Sequence, residues 1–298
     1  MRVLILTAGN GTRIRAISHC RSKCMLPVQG RPLLAWHLDH CVDSGQVDAI
    51  HIVVHPQETQ IQSYFGTSYR GVPLSYHVQS DLRTGLVGAI FSVDCPQVTD
   101  EPTLLLLGDE YLPQLDLASL LETAQRRPQA LLAVVVSTEQ PEKIRQNYTV
   151  ALDKDDRITQ AIEKPQMPLT PYIGTGVVYF PRGLLPTFAQ CCPSFADAQL
   201  VDLILYAHQA YAYPAKPPYW NLNCPETYGE MSRNEGETLP YATMAEAFQA
   251  VARQHEADLA VVSGTRQVTY GQLEEQSDQF CQRLQALGCQ PGHCVALL

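Results

Sequence analysis

The first 135 residues alternate short apolar runs with amphipathic stretches. Five runs, at 3–7, 49–54, 74–78, 103–107 and 131–136, are rich in Val, Leu and Ile and have the length of buried strands. Apolar residues recur at helical spacing between them, most clearly at 33–42 and 117–124. Strands that alternate with helices in this way predict an α/β fold, with a parallel sheet covered by helices on both faces.

Two polar turns follow directly after predicted strands. The first contains Gly9, Asn10 and Gly11, and the second contains Gly108 and Asp109. Open α/β sheets bind their ligands beyond the carboxyl ends of the strands. We therefore expect the two turns to meet at one edge of the sheet and to form a single site.

Two cations, Arg13 and Lys23, follow the first turn. A glycine-rich turn exposes backbone N–H groups that can receive a phosphate, and nearby cations neutralise its charge. The Walker-type phosphate loop is excluded, because no lysine and hydroxyl residue directly follow the last glycine. The dinucleotide fingerprint is a weak match, because Ile14 stands where a small residue is required. Chemistry on a nucleotide phosphate is the first hypothesis.

Asp109 is the predicted metal ligand. The apolar run at 103–107 delivers this carboxylate to the end of a buried strand. A hard cation such as Mg²⁺ can be held there together with triphosphate oxygens. The sequence thus predicts Mg²⁺ as the cofactor.

Composition narrows the possible partners. The chain has 298 residues and a net charge of -9, with no basic stripe for a nucleic-acid backbone. It contains no apolar run near the roughly 20 residues of a membrane span, and no leader signal precedes the first strand. The ten cysteines are scattered rather than spaced for zinc. We expect a two-domain cytoplasmic protein with reduced thiols that binds neither nucleic acid nor membrane.

The residues around the first turn resemble a known family. Residues 6–13 read Leu-Thr-Ala-Gly-Asn-Gly-Thr-Arg, and residues 22–34 read Ser-Lys-Cys-Met-Leu-Pro-Val-Gln-Gly-Arg-Pro-Leu-Leu. Both stretches are similar to the start of sugar-phosphate nucleotidyltransferases. The resemblance implies a Rossmann-like mixed, mainly parallel sheet of GT-A type. It also implies catalytic roles for Arg13, Lys23 and Asp109, and nucleotide contacts from Ala8, Gly9, Asn10, Gly11 and Thr12.

Three later segments extend the resemblance. The segment at 79–90 is similar to the family's base-binding stretch, although one extra residue separates Gln79 from Gly85; these two residues are the implied nucleotide contacts, and a pyrimidine is expected. The segments at 157–165 and 173–180 imply that Glu163, Lys164 and Gly176 bind the acceptor. The segment at 219–228 replaces the family's second metal-binding aspartate, leaving Asn221 and Asn223 as alternatives.

The resemblance implies transfer of a nucleoside monophosphate from a nucleoside triphosphate to a phosphorylated acceptor, with release of pyrophosphate. The segment at 145–150 and the Lys23-Cys24-Met25 variant look closer to relatives that use CTP with phosphocholine or an aminoalkylphosphonate. A sugar-1-phosphate uridylyl- or thymidylyltransferase is the alternative. A further alternative is an inactive nucleotide-binding or docking module. This alternative stays open because asparagines replace the second carboxylate.

A composition break follows Met231. We expect a transferase domain at 1–231, a polar linker at 232–242 and a separate unit at 243–298. Residues 259–262, Thr269, Tyr270, Leu273 and the stretch 287–297 resemble the beginning of adenylation domains of nonribosomal peptide synthetases. The resemblance implies a small C-terminal α/β fragment of an AMP-binding domain, and the rest of a peptide synthetase as a partner in cis. Homo-oligomerisation stays open.

Overall fold

The computed structural model describes residues 1–9, 11, 14, 22–93, 100–167, 170–232, 244–263 and 266–290. The chain divides into two compact units, Met1–Arg233 and Asn234–Leu298. In the described part of the chain, no helix combines the length and the apolar character needed to cross a membrane.

The first unit contains one large sheet and two small antiparallel pairs of strands. Its strands, in chain order, are β1 (Arg2–Leu6), β2 (Pro27–Val28), β3 (Arg31–Pro32), β4 (Ala49–Val54), β5 (Ser68–Tyr69), β6 (Val72–Val78), β7 (Thr103–Leu107), β8 (Glu110–Tyr111), β9 (Leu131–Ser137), β10 (Thr149–Leu152), β11 (Ile158–Ile162), β12 (Tyr172–Phe180), β13 (Ala210–Pro214) and β14 (Trp220–Asn221).

Helices connect most of these strands. In chain order they are α1 (Leu33–Asp43), α2 (Gln60–Phe65), α3 (Gly85–Phe91), α4 (Leu117–Arg126), α5 (Pro141–Gln146), α6 (Leu184–Cys191), α7 (Leu200–Tyr206) and α8 (Pro225–Ser232). Short 3-10 turns at Lys23–Met25 and Leu82–Thr84 precede β2 and α3.

The sheet is mixed and mainly parallel. Its strands follow the order β11-β10-β12-β7-β1-β4-β6-β5, with β9 paired to β12 and β13 paired to β9. β1 lies parallel to both β4 and β7, and β4 lies parallel to β6. β12 is antiparallel to both β7 and β9. The carboxyl ends of β1 and β7 therefore lie side by side, at the centre of the sheet.

Helices cover both faces, which explains why the central strands are apolar on both sides. α1 and α4 pack on one face, and α3, α6 and α7 pack on the other. Burying a side chain such as Leu38 or Leu120 contributes about 1.5–3 kcal/mol each, and both are fully buried. The two layers hold the central strands, and with them the turns at their carboxyl ends, in fixed positions.

The five strands and two helices predicted from periodicity are confirmed, with ends that differ by at most two residues. The mixed, mainly parallel sheet is confirmed as well. The periodicity did not predict β12, although eight of its nine residues are buried. Gly174 and Gly176 lower the strand propensity of this segment, and only its neighbours in the sheet compensate for that.

The second unit contains α9 (Met244–Gln254), β15 (Leu259–Ser263), β16 (Arg266–Thr269) and α10 (Tyr270–Ala286). β15 and β16 form an antiparallel pair. Thr269 caps α10 in a capping box with Gln272, and Gly288 follows the helix with φ of 81°. Val262 and Phe280 are exposed, so the described part of this unit covers little apolar surface.

A pair of histidines, buried His51 and half-buried His77, lies on the neighbouring strands β4 and β6. His51 Nδ1 and His77 Nε2 are 3.0 Å apart, so one ring must donate and the other accept. Burial lowers the pKa of His51 from 6.5 to about 4, with smaller contributions from His77 and Arg2. The folded protein therefore holds the His51 ring neutral under conditions in which the unfolded chain takes up a proton.

We predict that acid destabilises the fold partly through His51. Since its pKa is lower in the folded than in the unfolded chain, the free energy of unfolding falls as the pH falls from about 6.5 towards 4. Chemical denaturation should show that His51→Gln removes on the order of 1–2 kcal/mol of the loss between pH 7 and pH 5. Substitution of the exposed His208 by Gln serves as control. An unchanged pH slope in His51→Gln would contradict this prediction.

Candidate active site

The first predicted phosphate turn begins where β1 ends. The backbone N–H and the hydroxyl of Thr7 both donate to the Val53 carbonyl, at 2.8 and 2.7 Å. Ala8 is buried and Gly9 is exposed. The sheet thus holds the start of the turn at Thr7, and the turn becomes exposed to solvent at Gly9. The predictions for Asn10, Thr12 and Arg13 lie outside the described residues and stay predictions.

Gly11 brings the first turn against Lys23. Its φ is 56°, which strains any residue with a side chain. A Cβ at this position would lie 3.3 Å from Lys23 Cγ, so the lysine stem packs directly on the glycine backbone. The absence of a side chain at Gly11 therefore allows the first turn and the Lys23 side chain to pack directly against each other.

Lys23 forms the centre of the polar cluster. Its Nζ atom donates to Asp109 Oδ2 at 2.9 Å and to Asn223 Oδ1 at 3.4 Å. The side chains of Lys23 and Asp109 are 15% and 31% exposed, so solvent screens their attraction less than that of a surface ion pair. Three of the predicted site residues, from distant parts of the sequence, thus meet at one point.

Two close backbone contacts bring Asp109 to this point. Gly108 donates its N–H to the Leu6 carbonyl at 2.9 Å, and a Cβ on Gly108 would lie only 2.8 Å from Thr7 Cγ2. Leu222 donates its N–H to the Asp109 carbonyl at 2.8 Å. The glycine permits β7 to end against β1, and the second contact places the end of β14 beside the carboxylate.

A first cleft opens on the phosphate-turn side of Asp109, with a cavity volume of about 280 Å³. Apolar and backbone groups form much of its wall. Four predicted nucleotide contacts line it, namely Ala8, Gly9, Gln79 and Gly85, together with the predicted catalytic residues Lys23 and Asp109. The structure thus brings these two groups of predicted residues to one cleft.

Gln79 supports the wall of this cleft rather than projecting into it. The side chain is 5% exposed, and its Nε2 donates to the Gly85 carbonyl at 2.9 Å and to Thr84 Oγ1 at 3.3 Å. Gly85 has φ of 64° and no close neighbour on its Cβ side, where Ala196 O lies 4.0 Å away. The amide of Gln79 thus holds the glycine whose bare backbone borders the cleft.

A second cleft, of about 600 Å³, opens on the other side of Asp109. All three predicted acceptor residues line it, together with both asparagines: Glu163, Lys164, Gly176, Asn221 and Asn223. Asp109, Gly85, Leu86 and Leu107 border both clefts. Groups bound in the two clefts would therefore face each other across Asp109.

Glu163 and Lys164 form an ion pair of 3.2 Å at the edge of the second cleft. Lys164 is 62% exposed on its side chain, and its backbone N–H donates to the Asn147 carbonyl at 3.2 Å. The backbone is thus held while the ammonium group stays accessible. This arrangement suits a cation that receives an anionic ligand from solvent.

Sequence reasoning missed a buried group beneath this cleft. Glu110 is 3% exposed and accepts the Gly176 N–H at 2.6 Å. Burial raises the pKa of Glu110 to about 8, against the lowering effect of that hydrogen bond. Burial also raises the pKa of Tyr219, whose hydroxyl donates to Asn147 Oδ1 at 3.1 Å. The position of Glu110 directly after the predicted metal ligand was the available signal.

The oxygen atoms at the junction of the clefts suit a hard divalent cation. Asp109 Oδ2 and Asn223 Oδ1 both lie against the Lys23 ammonium group, so two oxygen donors already surround one positive charge. Asn221 Oδ1 is buried without a hydrogen-bond partner. Across the residues with assigned positions, no three His, Cys, Asp or Glu side chains group closely enough to hold a metal. Mg²⁺ would therefore depend on the phosphates of its nucleotide for most of its ligands.

A Rossmann-like sheet that carries a glycine turn, a lysine and a carboxylate at one edge is typical of nucleotide-binding proteins. Comparison with known families makes the assignment more specific. Residues 2–220 match the model of the nucleotidyl transferase family. The chain belongs to this family of enzymes. Residues 248–298 match a separate model, that of AMP-binding enzymes.

Several curated relatives are named for transfer to a sugar 1-phosphate. The chain is 30% identical over 210 residues to the UTP–glucose-1-phosphate uridylyltransferase AglF of Haloferax volcanii, covering 69% of this chain and 84% of the relative. It is 29% identical over 179 residues to a glucose-1-phosphate thymidylyltransferase of Xanthomonas campestris, covering 59% of each. Against several further relatives the chain spans about half to three fifths of their length.

Solved structures agree with the fold. A Bacillus anthracis protein described as a glucose-1-phosphate thymidylyltransferase has a TM-score of 0.71 at 18% identity, covering 80% of this chain and 98% of that one. A UDP-glucose pyrophosphorylase complexed with UDP-glucose has a TM-score of 0.66 at 20% identity, covering 78% and 96%. At these identities the likeness supports the fold alone.

We predict that Asn223→Asp increases the affinity for a divalent cation by on the order of 10-fold, because a carboxylate adds charge beside Asp109. Isothermal titration of the nucleotide-free protein with Mn²⁺ measures this effect. Asn221→Asp is the matched control, since the Asn221 oxygen is buried and makes no hydrogen bond to Lys23. An increase confined to Asn221→Asp would show that Asn221 is the second ligand.

Proposed function

We propose that this chain transfers a pyrimidine nucleoside monophosphate, from UTP or dTTP, to a hexose 1-phosphate and releases pyrophosphate. The observation that carries the proposal is the Lys23–Asp109–Asn223 cluster, which lies where two clefts of suitable size adjoin. The first cleft receives the nucleotide and the second receives the sugar phosphate.

The relatives favour this substrate class over the CTP-dependent one. Among those named above, the curated relatives carry uridylyl- and thymidylyltransferase names with glucose 1-phosphate as acceptor. The second cleft supports a hydroxyl-rich acceptor, because the Glu163 carboxylate and several backbone groups border it. The expected preference for CTP with a choline or aminoalkyl acceptor gains no comparable support and becomes the second candidate.

The proposed reaction needs little proton transfer from the protein. A phosphate oxygen of the acceptor is ionised at neutral pH and attacks the α-phosphorus of the nucleotide, while the bond to the β-phosphate breaks and pyrophosphate leaves. Lys23 lines the first cleft, and its Nζ donates to Asp109 and Asn223, which line the second, so its ammonium group would contact both the acceptor phosphate and the α-phosphate. Catalysis then rests on positioning and on neutralisation of charge.

The remaining predicted residues complete this scheme as proposals. Arg13 would neutralise the leaving phosphates, and Lys164 would attract the acceptor phosphate into the second cleft. Asp109 and Asn223 would hold Mg²⁺, which offsets the phosphate charge when bound. Gly85, held by Gln79, would let the base approach the backbone.

The AMP-binding match suggests a second activity in the same protein. We propose that residues 248–298 are the opening part of an adenylation domain, so that the transferase acts beside a peptide synthetase in the cytoplasm. The match to an AMP-binding model and the exposed apolar side chains of this unit support the proposal. Adenylation itself would require residues beyond this segment.

A substrate panel tests the proposed function. Purified protein with Mg²⁺ is incubated with UTP, dTTP, CTP, GTP or ATP, each with glucose 1-phosphate, mannose 1-phosphate, phosphocholine or 2-aminoethylphosphonate. We expect pyrophosphate release, measured by a coupled assay, to be fastest with UTP or dTTP and a hexose 1-phosphate. Turnover restricted to CTP with phosphocholine or the phosphonate would support the second candidate instead, and nucleotide binding without turnover would indicate an inactive module.

Substitution of the central cluster tests the mechanism. We expect Lys23→Ala and Asp109→Ala each to lower kcat/KM on the order of 10²-fold or more. The first removes a cation that neutralises the transition state, and the second removes a ligand for the divalent cation that would do so. The exposed residues Lys154 and Asp155 provide matched controls as Lys154→Ala and Asp155→Ala. Circular dichroism should show native secondary structure for all four. Near-normal turnover in both cluster variants would reject the assignment.

A further inference from the structure

The floor of the second cleft is an irregular part of β12. Four residue steps along β12, from Gly174 to Val178, face only two steps along β9, from Val135 to Ala133. β12 therefore bulges between these points. Gly174, Thr175 and Gly176 lie in the bulge and line the cleft. The shape of the acceptor pocket depends on how this bulge is held.

One end of the bulge is held by packing and hydrogen bonds from β10 and its preceding loop. The ring of Tyr148 lies where a Cβ on Gly174 would fall, and the Tyr148 hydroxyl donates to the Thr175 carbonyl at 3.0 Å. The Thr175 hydroxyl donates to the Val134 carbonyl at 3.1 Å. These contacts fix Gly174 and Thr175 but leave the Gly176 N–H to another partner.

That partner is the carboxyl group of Glu110, at 2.6 Å. Glu110 directly follows Asp109 and pairs with Asn221 across β8 and β14. The residue that supports the acceptor floor is thus the first residue of β8, directly after the predicted metal ligand Asp109. Burial raises the pKa of the Tyr219 hydroxyl, and the nearby Glu110 carboxyl group raises it further.

Tyr219 extends the connection to the far wall of the second cleft. Its hydroxyl donates to Asn147 Oδ1 at 3.1 Å, and the Asn147 carbonyl accepts the N–H of Lys164 at 3.2 Å. Asn147 and Lys164 both line the cleft. Tyr219, next to Glu110, is therefore connected through Asn147 to Lys164 at the edge of the cleft.

Burying a carboxyl group in this space costs free energy of desolvation. Glu110 is 3% exposed, and an apolar side chain of similar volume would avoid the desolvation of its carboxyl group. An apolar residue could not accept the N–H of Gly176 inside the protein, however, and that buried donor would be left unsatisfied. Glu110 therefore contributes geometry rather than net stability.

We propose that Glu110 is a positioning residue for the acceptor, which fixes the Gly176 bulge and, through Tyr219, the Lys164 wall relative to Asp109. The proposal rests on the proposed function, because it assigns the second cleft to the acceptor. Glu110 shapes the acceptor pocket without touching the nucleotide cleft, whose lining residues do not include it.

The test measures KM for each substrate separately, using UTP with glucose 1-phosphate or the most active pair of the panel. Glu110→Ala should raise the KM of the acceptor about 10- to 100-fold, the effect of losing a hydrogen bond to an ionisable group. The KM of the nucleotide should stay within about 2-fold. Glu110→Gln keeps an oxygen that accepts the Gly176 N–H, so it should restore the acceptor KM to near the wild-type value.

Two further variants separate positioning from a general loss of folding. Tyr219→Phe removes only the hydroxyl and should raise the acceptor KM about 3- to 10-fold, again with little change for the nucleotide. If the Glu110→Ala protein does not fold, the Tyr219→Phe protein alone tests the positioning role. The exposed Glu139→Ala is the matched control. A merely structural role would lower the active fraction, and hence kcat, without a selective change in the acceptor KM.

The outcomes separate this inference from the function on which it rests. Suppose that the wild type turns over substrate and that the acceptor KM is unchanged in Tyr219→Phe, and in Glu110→Ala if that variant folds. This result overturns the positioning role of Glu110 but not the proposed function. Parallel increases in KM for both substrates also overturn that role. Absence of wild-type turnover with every pair of the panel overturns the proposed function, and the positioning role with it.

Discussion

The ion pair between Lys23 and Asp109 is the interaction on which the site depends. It joins two residues that are 86 positions apart, and it forms only because β1 and β7 lie parallel at the centre of the sheet. Gly108 allows the ends of these strands to approach, and Gly11 allows the lysine stem to pack against the first turn. Without either glycine, the ammonium and carboxylate groups would be held further apart.

The same ion pair gives the unliganded site a neutral centre. Among the residues that the structure describes, Asp109 is the one carboxylate that borders both clefts, and Lys23 balances its charge. The two predicted alternatives for the second metal ligand, Asn221 and Asn223, are uncharged, so they add no negative charge for a cation. A nucleotide that brings its own phosphate charges would complete such a site, which links cation binding to nucleotide binding.

The two clefts differ in how their walls are built. The first cleft is formed by turns that follow β1, β6 and β7, and short backbone contacts fix those turns on the sheet. The second cleft is formed partly by a bulged strand that is antiparallel to its neighbours. A bulge cannot rely on regular ladder hydrogen bonds, and here Glu110 and Tyr148 supply replacements. The shape of the second cleft therefore depends on side chains outside the motif segments from which the site was predicted.

The sequence by itself determined the central strands, the α/β class and the turns at Gly9 and Asp109. Each of these is recorded locally, in apolar runs of strand length and in glycines and polar residues directly after them. Only the tertiary structure decided that β12 enters the sheet antiparallel and that Glu110 turns inward beneath it. Both depend on which segments become neighbours, because a glycine-containing strand and a buried acid are stable only when distant partners supply hydrogen bonds and packing.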